Sequence, residues 1–324
     1  MHIYTNDNGV INNIDAYPYT SLPENTIWID LLNISLTEEK HLENLLHIDI
    51  PTPDEISNIC VSNRLYKKDN AIYITITFYL DKTNNLFDLE PHRITFILVN
   101  NILITIRDFD CSLFTNFLNF FDITNINHES MSLSILTTFI ENIINDTSAL
   151  LEQVTHKLNT QNETIIDPSN ETNKTSYKII LKEIANIGEV ISKIQESLIS
   201  LSRMLNFLLQ VNTLNQRTDF NINTKIFLKD IGALTEHASF LSSKLNFILD
   251  ATLGLINIEQ NSIIKIFSIA SVIFLPPTLI ASIFGMNFKF MPELNLSFGY
   301  PLSLLLMLAS AILSFMFFKM KNWL

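Results

Sequence analysis

The spacing of apolar residues changes twice along the chain. Over residues 1 to about 110, β-branched and aromatic runs alternate with polar turns, and Thr26–Asp30, Ala71–Leu80 and Ile94–Ile106 are predicted strands. Between the first two, Ser35–His47 places Leu36, Leu42, Leu45 and Leu46 on one helical face, with Thr37 to Lys40 as a capping box at the start. From residue 112 apolar residues recur at helical spacing through Leu133–Leu158, Tyr177–Leu209 and Ile226–Ile264. No proline lies between Pro91 and Pro168, or between Pro168 and Pro276. The polar stretches Asn159–Lys174 and Thr213–Thr224 are the predicted helix-to-helix connections.

The third regime is continuous. Ile266 to Phe284 and Tyr300 to Phe318 are uncharged runs of 19 residues each. Each is long enough to cross a hydrocarbon core of roughly 30 Å as a helix. The short loop between them predicts a hairpin with both chain ends on one side of the membrane. The helix from about Ile226 runs without interruption into the first span and ends at Gly285, a length of roughly 90 Å at 1.5 Å per residue. Such a helix is a stalk.

A polar stripe follows this helix. Steps of four and three residues give Asp250, Gly254, Asn257, Asn261, Ile264, Ser268, Ser271, Leu275, Thr278 and Ser282, and only Ile264 and Leu275 are large and apolar. A seam spaced by 3.5 residues is what helices in a bundle present to a shared axis. Two readings stand: small residues in close helix packing, or a water-lined pore, since polar groups at membrane depth face protein or water. The pore explains why the stripe begins with Asp250 and two asparagines and ends at a Gly-Met-Asn turn. One helix cannot enclose a pore, so that reading requires an oligomer. Pro276-Pro277 removes two backbone donors inside the span, where the helix should kink or widen.

Composition narrows the function. The chain has 324 residues, 47% hydrophobic, room for one sizeable soluble domain and the hairpin. The polar start, Met1 to Asn8, lacks the basic and apolar regions of a signal peptide, so the soluble part is expected in the cytoplasm. Lys265, Lys319 and Lys321 flank the spans on that side, in keeping with the positive-inside rule. Residues 1–262 hold 32 of the 33 acids and 17 of the 21 bases, a net charge of −15. Such a domain repels nucleic acid and attracts cations. Cys60 and Cys111 have no partner at metal-ligand spacing and are expected as reduced thiols. Six scattered glycines make no phosphate loop, and seven histidines make no zinc or triad pattern. His237 is expected as a polar interface residue. No catalytic constellation emerges, so the chain is not expected to be an enzyme.

The C-terminal stretch resembles the CorA family of magnesium channels. The resemblance rests on Gly285-Met286-Asn287 followed by Met291-Pro292-Glu293-Leu294 and Gly299-Tyr300-Pro301, close to the C-terminus. It extends upstream through Ile256-Asn257-Ile258-Glu259-Gln260-Asn261 and Phe274-Leu275-Pro276-Pro277-Thr278, and downstream to Lys321-Asn322-Trp323-Leu324. Asp49-Ile50-Pro51-Thr52-Pro53 and Arg64-Leu65-Tyr66 are similar to the family's N-terminal domain. The resemblance implies a homopentameric channel for Mg2+, driven inward by the membrane potential, with Gly285, Met286 and Asn287 as selectivity filter. It places the constriction at Ile264 and Leu275 with Phe267, and polar rings at Asn261 and Asp250 toward the exit. It also implies that intracellular Mg2+ bridges neighbouring domains and holds the channel closed. Asp81 is the candidate ligand on one subunit. Asp230 is the candidate on its neighbour, one helical turn from the position that simple spacing gives the family's acid. One departure stands out: many relatives carry an acid where this chain has Lys289, leaving the loop without net charge and Glu293 as its only acid. Co2+ and Ni2+ are further candidate cargo. Zn2+ efflux is the runner-up in transport, against which Met286 speaks, and a membrane-anchored, non-conducting sensor or scaffold is the runner-up outside it.

The expected fold class is α+β. An α/β cytoplasmic domain (1–110) and a helical part (111–225) precede the stalk (226–265), a pore-lining first span (266–287), a periplasmic loop (288–299), a second span (300–318) and a cytoplasmic tail (319–324). The expected setting is the bacterial inner membrane, with both termini cytoplasmic.

Overall fold

The computed structural model describes residues 1–7, 10–14, 21–23, 25–58, 63–81, 86–115, 117, 131–166, 177–211, 218–287, 289, 291–292 and 298–321. These fall into two compact units, Met1–Ile248 and Leu249–Leu324.

The first unit is built on a seven-stranded sheet. Its strands are β1 (His2–Asp7), β2 (Val10–Ile14), β3 (Thr26–Leu32), β4 (Leu65–Lys68), β5 (Ala71–Asp81), β6 (Leu89–Val99) and β7 (Ile102–Arg107), in the order β2-β1-β3-β7-β6-β5-β4. All neighbours are antiparallel except β3 and β7, which pair Trp28 with Leu103 through Leu32 with Arg107 in parallel. The alternation of the strands divides the core. Ile29, Leu31, Tyr73, Ile97 and Ile104 pack on one face with Leu42 and Leu46 of α1 (Leu36–Leu46) and Ile56 of α2 (Pro53–Asn58). On the other face Trp28 stacks on Tyr4 at 4.1 Å between ring centroids and meets Phe117 at 5.0 Å and Phe139 at 5.3 Å. Phe139 belongs to α4 (Met131–Ile166), which follows the short α3 (Ser112–Thr115).

Trp28 Nε1 donates to Thr105 Oγ1, whose hydroxyl donates at 2.7 Å to Asp30 Oδ1. Asp30 also takes Arg107 in a forked ion pair, with Nη2 to Oδ2 at 2.6 Å. Arg107 reaches on to the Phe109 carbonyl at 2.6 Å and Asp110 at 3.2 Å, and its guanidinium lies 4.0 Å from the Phe114 ring centroid. Every member from Trp28 to Arg107 is buried.

Four expectations change. The run Ile94–Ile106 is two strands, broken at Asn100 (φ 48°) and Asn101 (φ 64°). Positive φ at both central residues is the tight hairpin turn whose twist matches the strands, and Asn tolerates it. The cap of α1 lies two residues upstream of the expected box: Ser35 accepts from the Glu38 backbone while Glu38 accepts from the Ser35 backbone, and Leu36 is exposed. Helix α4 continues past Asn159 to Ile166. The last long helix starts at Thr218, so the expected connection shrinks at its C-terminal end. Phe220 and Thr224, one turn apart, are buried, and the Thr224 hydroxyl donates to the Phe220 carbonyl at 2.7 Å. Ile222 and Asn223 between them are the exposed side of a helix rather than part of a linker. Strands β1, β2 and β4, and helix α2, add to what was expected. Cys111 is half-buried, and burial pushes its thiol up; Cys60 lies outside the described residues.

Helix α5 (Tyr177–Gln210) and the start of α6 (Thr218–Phe284) complete this unit. The two helices come close at Gly188, where a Cβ would sit 3.1 Å from Leu245 Cδ2. His237 faces Thr155 of α4 at 3.5 Å. The second unit holds the end of α6 and α7 (Gly299–Met320), the two helices long and apolar enough to span a membrane.

Candidate functional site

Shielding along the end of α6 has a direction. Ile269 is buried, and Ile273, Pro276, Ile280 and Phe284 are half-covered, a stripe on one side of the helix. On α7 the covered residues include Gly299, Ser303, Met307, Ser310, Ser314 and Phe318. Those stripes are the shielded sides of the two helices of this unit. Ile264, Ser268, Ser271, Leu275, Thr278 and Ser282 are all exposed. At 3.6 residues per turn they lie roughly 180° from the covered stripe. Asp250, Asn257 and Asn261 are exposed nearer the start of the unit. Phe267, at 70% exposure, lies between the polar stripe and the outward apolar flank.

The hydroxyls on this face are neutral acceptors. Ser271 donates to the Phe267 carbonyl at 2.8 Å and Thr278 to the Phe274 carbonyl at 2.7 Å. Each spends its proton on the helix and keeps oxygen lone pairs to offer. Pro276 and Pro277 lack an N–H, so the Val272 and Ile273 carbonyls lose their helical donors.

The helix ends at Gly285. Its N–H donates to the Ala281 carbonyl at 2.9 Å, and the Met286 N–H closes a tighter bond to Ile283 at 3.2 Å. A Cβ on Gly285 would lie 3.2 Å from the Ala281 oxygen, so a side chain there must displace backbone. Left-handed geometry is not what ends the helix. Asn287 is absent from the residues with positive φ, and its exposed side chain has no hydrogen-bond partner among the described residues. Lys289 is exposed beside it, while Glu293 lies outside the described residues.

The expected regulatory acids are in the first unit. Asp81 ends β5, opposite Leu89, and its side chain is outside the description. Asp230 is exposed on α6. Among the described residues no three His, Cys, Asp or Glu side chains gather as a metal site. What sequence reasoning did not supply was the covered face of α6, which only the folded unit reveals.

A sheet domain, a helix that continues into a span, and a second span define a class of membrane protein, and solved structures of that class are similar along the whole chain. The complete structure of the CorA magnesium transporter from Methanocaldococcus jannaschii matches with a TM-score of 0.78 at 19% identity, covering 100% of this chain and 99% of that one. The full-length CmaX protein matches at 0.70 and 12% identity, over 99% and 97% of the two chains. In sequence, the family described as "CorA-like Mg2+ transporter protein" matches residues 23–320. Proteins named "Magnesium transport protein CorA" are 32% identical in Wolinella succinogenes, over 100% of both chains, and 31% identical in Escherichia coli strain K12, over 93% and 92%. The chain belongs to the CorA family of membrane transporters.

Proposed function

We propose that the chain assembles as a homopentamer around the polar face of α6 and conducts Mg2+ inward through it, down the membrane potential. The observation that carries this reading is the polar stripe opposite the covered side of α6, leading to an exposed Asn287 side chain that bonds to nothing among the described residues. Mg2+ holds its waters tightly and sheds them reluctantly. Five Asn287 amide oxygens at a fixed radius would recognise the hydrated ion through its water shell. The potential contributes about 2.3 kcal/mol per charge per 100 mV, hence twice that for a divalent ion. Co2+ and Ni2+ share the charge and are candidate further cargo. The setting is the bacterial inner membrane, with both termini in the cytoplasm. Purified protein in liposomes should admit Mg2+ along an imposed potential and be blocked by hexaamminecobalt(III), a substitution-inert mimic of the hydrated ion. Absence of both influx and block would favour a non-conducting anchor.

In this reading Ile264 and Leu275 close the pore by excluding water. Leu275→Asn should therefore rehydrate the constriction and raise leak in high internal Mg2+ by roughly tenfold, the effect of removing about 1.4 kcal/mol from a barrier. Lower expression with unchanged conduction would mean that Leu275 faces lipid, and would reject the register.

Mg2+ also acts as regulator in this reading, shared between Asp81 of one copy and Asp230 of the next. Asp81→Asn with Asp230→Asn should shift the Mg2+ concentration for half-closure upward by several-fold, the scale of one lost coupling of 1–3 kcal/mol. Mg2+ removal should loosen the wild-type assembly on size-exclusion chromatography. An unchanged closure curve in the double variant would remove these two residues from the regulatory role.

A further inference from the structure

Strand β4 begins only at Leu65, opposite Ile74, and that shortness creates a site. Beyond it the outer edge of β5 would be bare, and α5 crosses it instead: the Thr77 N–H donates to Ser200 Oγ at 3.0 Å, and the Tyr79 hydroxyl donates to Glu196 at 2.6 Å. Between β4, β5 and α5 lies a cavity of about 140 Å³, lined by Arg64, Thr75, Thr77, Glu196, Ser200 and Arg203 among others. Arg93 stands opposite Thr77 on β6. Arg64, Arg93 and Arg203 thus gather with Glu196, in a domain whose net charge is −15.

The donors are oriented for an acceptor. Arg64 Nη1 donates to Thr77 Oγ1 at 3.0 Å, and the Arg64 Nε–H is buried with no acceptor among the described residues. Thr77 Oγ1 takes that bond and Ser200 Oγ takes the Thr77 N–H, so both hydroxyls keep a proton to donate. Burial first, then the Arg93 and Arg203 charges, push the Arg64 guanidinium below its ordinary value, with Glu196 opposing. A negative group in the cavity would relieve that strain on the charge.

We propose that this cavity binds one tetrahedral oxyanion of phosphate size, free or as the terminal group of a small phosphomonoester. A planar carboxylate is satisfied by a single guanidinium fork. Here donors converge from the residue before β4, from β5 and from α5, which suits an acceptor with oxygens in several directions. Bound there, the anion fastens α5 to the open edge of the sheet.

Isothermal titration calorimetry on the full-length protein in detergent tests this, with inorganic phosphate and glycerol phosphate as probes. Saturable binding of phosphate is expected. Arg64→Lys keeps the charge but loses the fork, and should weaken it about tenfold. Arg203→Gln should do the same, and because Arg203 is exposed its loss should not unfold the domain. Glu196→Gln should tighten binding about threefold or more, because it removes a like charge yet can still accept from Tyr79. That gain is something a merely structural role would not produce. Tighter binding of glycerol phosphate than of phosphate would assign the site to an ester, and the reverse to the free anion. No saturable binding of either probe, or affinities unmoved by the three substitutions, would overturn the proposal. Mg2+ influx need not change in any arm, so the outcome is independent of the conduction reading.

Discussion

Asn287→Gly is expected to abolish Mg2+ influx while the assembly stays intact. Asparagine at the end of a helix is often only a cap, chosen because it tolerates left-handed backbone, and there glycine replaces it without strain. Asn287 does not have that geometry and is absent from the residues with positive φ. Its side chain is exposed and bonds to nothing described, so removing it costs the fold little beyond the roughly 0.5–1 kcal/mol of backbone freedom that glycine adds. Transport would lose the amide oxygens that meet the hydrated ion. At about 1.5–3 kcal/mol for a hydrogen bond to a charged group, one such interaction alone is worth roughly ten- to hundredfold in rate. Asn287→Asp should err the other way. Five carboxylates on one axis repel and trap a cation, so binding should tighten while release slows. Near-normal influx in Asn287→Gly, with the oligomer intact on size-exclusion chromatography, would move ion recognition elsewhere.

Asp30→Ala should cost the sheet domain more than any surface change. It leaves the buried Arg107 guanidinium without the carboxylate that holds it at 2.6 Å, and strips Thr105 of its acceptor. Breaking one side of a buried pair costs about 3–5 kcal/mol, which for a domain of this size lowers its melting temperature by roughly 6–20 °C. The informative partner is Asp30→Leu with Arg107→Met. With both charges gone no ion is stranded, and much of the loss should return. Thermal unfolding of the full-length protein in detergent, followed by circular dichroism, gives both numbers. A double variant as unstable as the single one would show that the pair is held for more than mutual neutralisation, with the Asp110 and Phe109 bonds as the next suspects.

The same network shows where sequence stops being legible. Asp30 and Arg107 are 77 residues apart, and nothing in their local surroundings announces that β3 and β7 will lie side by side. The spans could be read because the bilayer imposes a length and forbids charge, so 19 uncharged residues are a strong signal. Family membership was legible for a related reason: Gly285-Met286-Asn287 sits at a fixed place relative to those spans. The hairpin at Asn100-Asn101 was hidden inside an apolar run because two asparagines are weaker punctuation than glycine or proline. Strands β1 and β2 were missed because polar residues interrupt His2–Asp7 and Val10–Ile14, and only the pairing of β1 with β3 and of β2 with β1 organises them. At the site, the polar stripe was visible in sequence. Its relation to the covered side of α6 was not, because that depends on which way α7 packs.

The parallel pairing of β3 with β7 also sets a timetable for synthesis. The first three strands are made early, but their inner neighbour is not complete until Arg107 has been added, about 75 residues after Leu32. At 5–20 residues per second, that is a wait of roughly 4 to 15 s with one edge of β3 unfilled. Non-local closure of this kind is slow and leaves strands open to wrong partners. The first span begins only about 160 residues after β7 is finished. A ribosome therefore delivers a sheet that can close long before any membrane segment needs the translocation machinery. Slow codons or a paused ribosome between Leu32 and Ile102 should raise aggregation of the nascent chain, whereas the same pause after Arg107 should not.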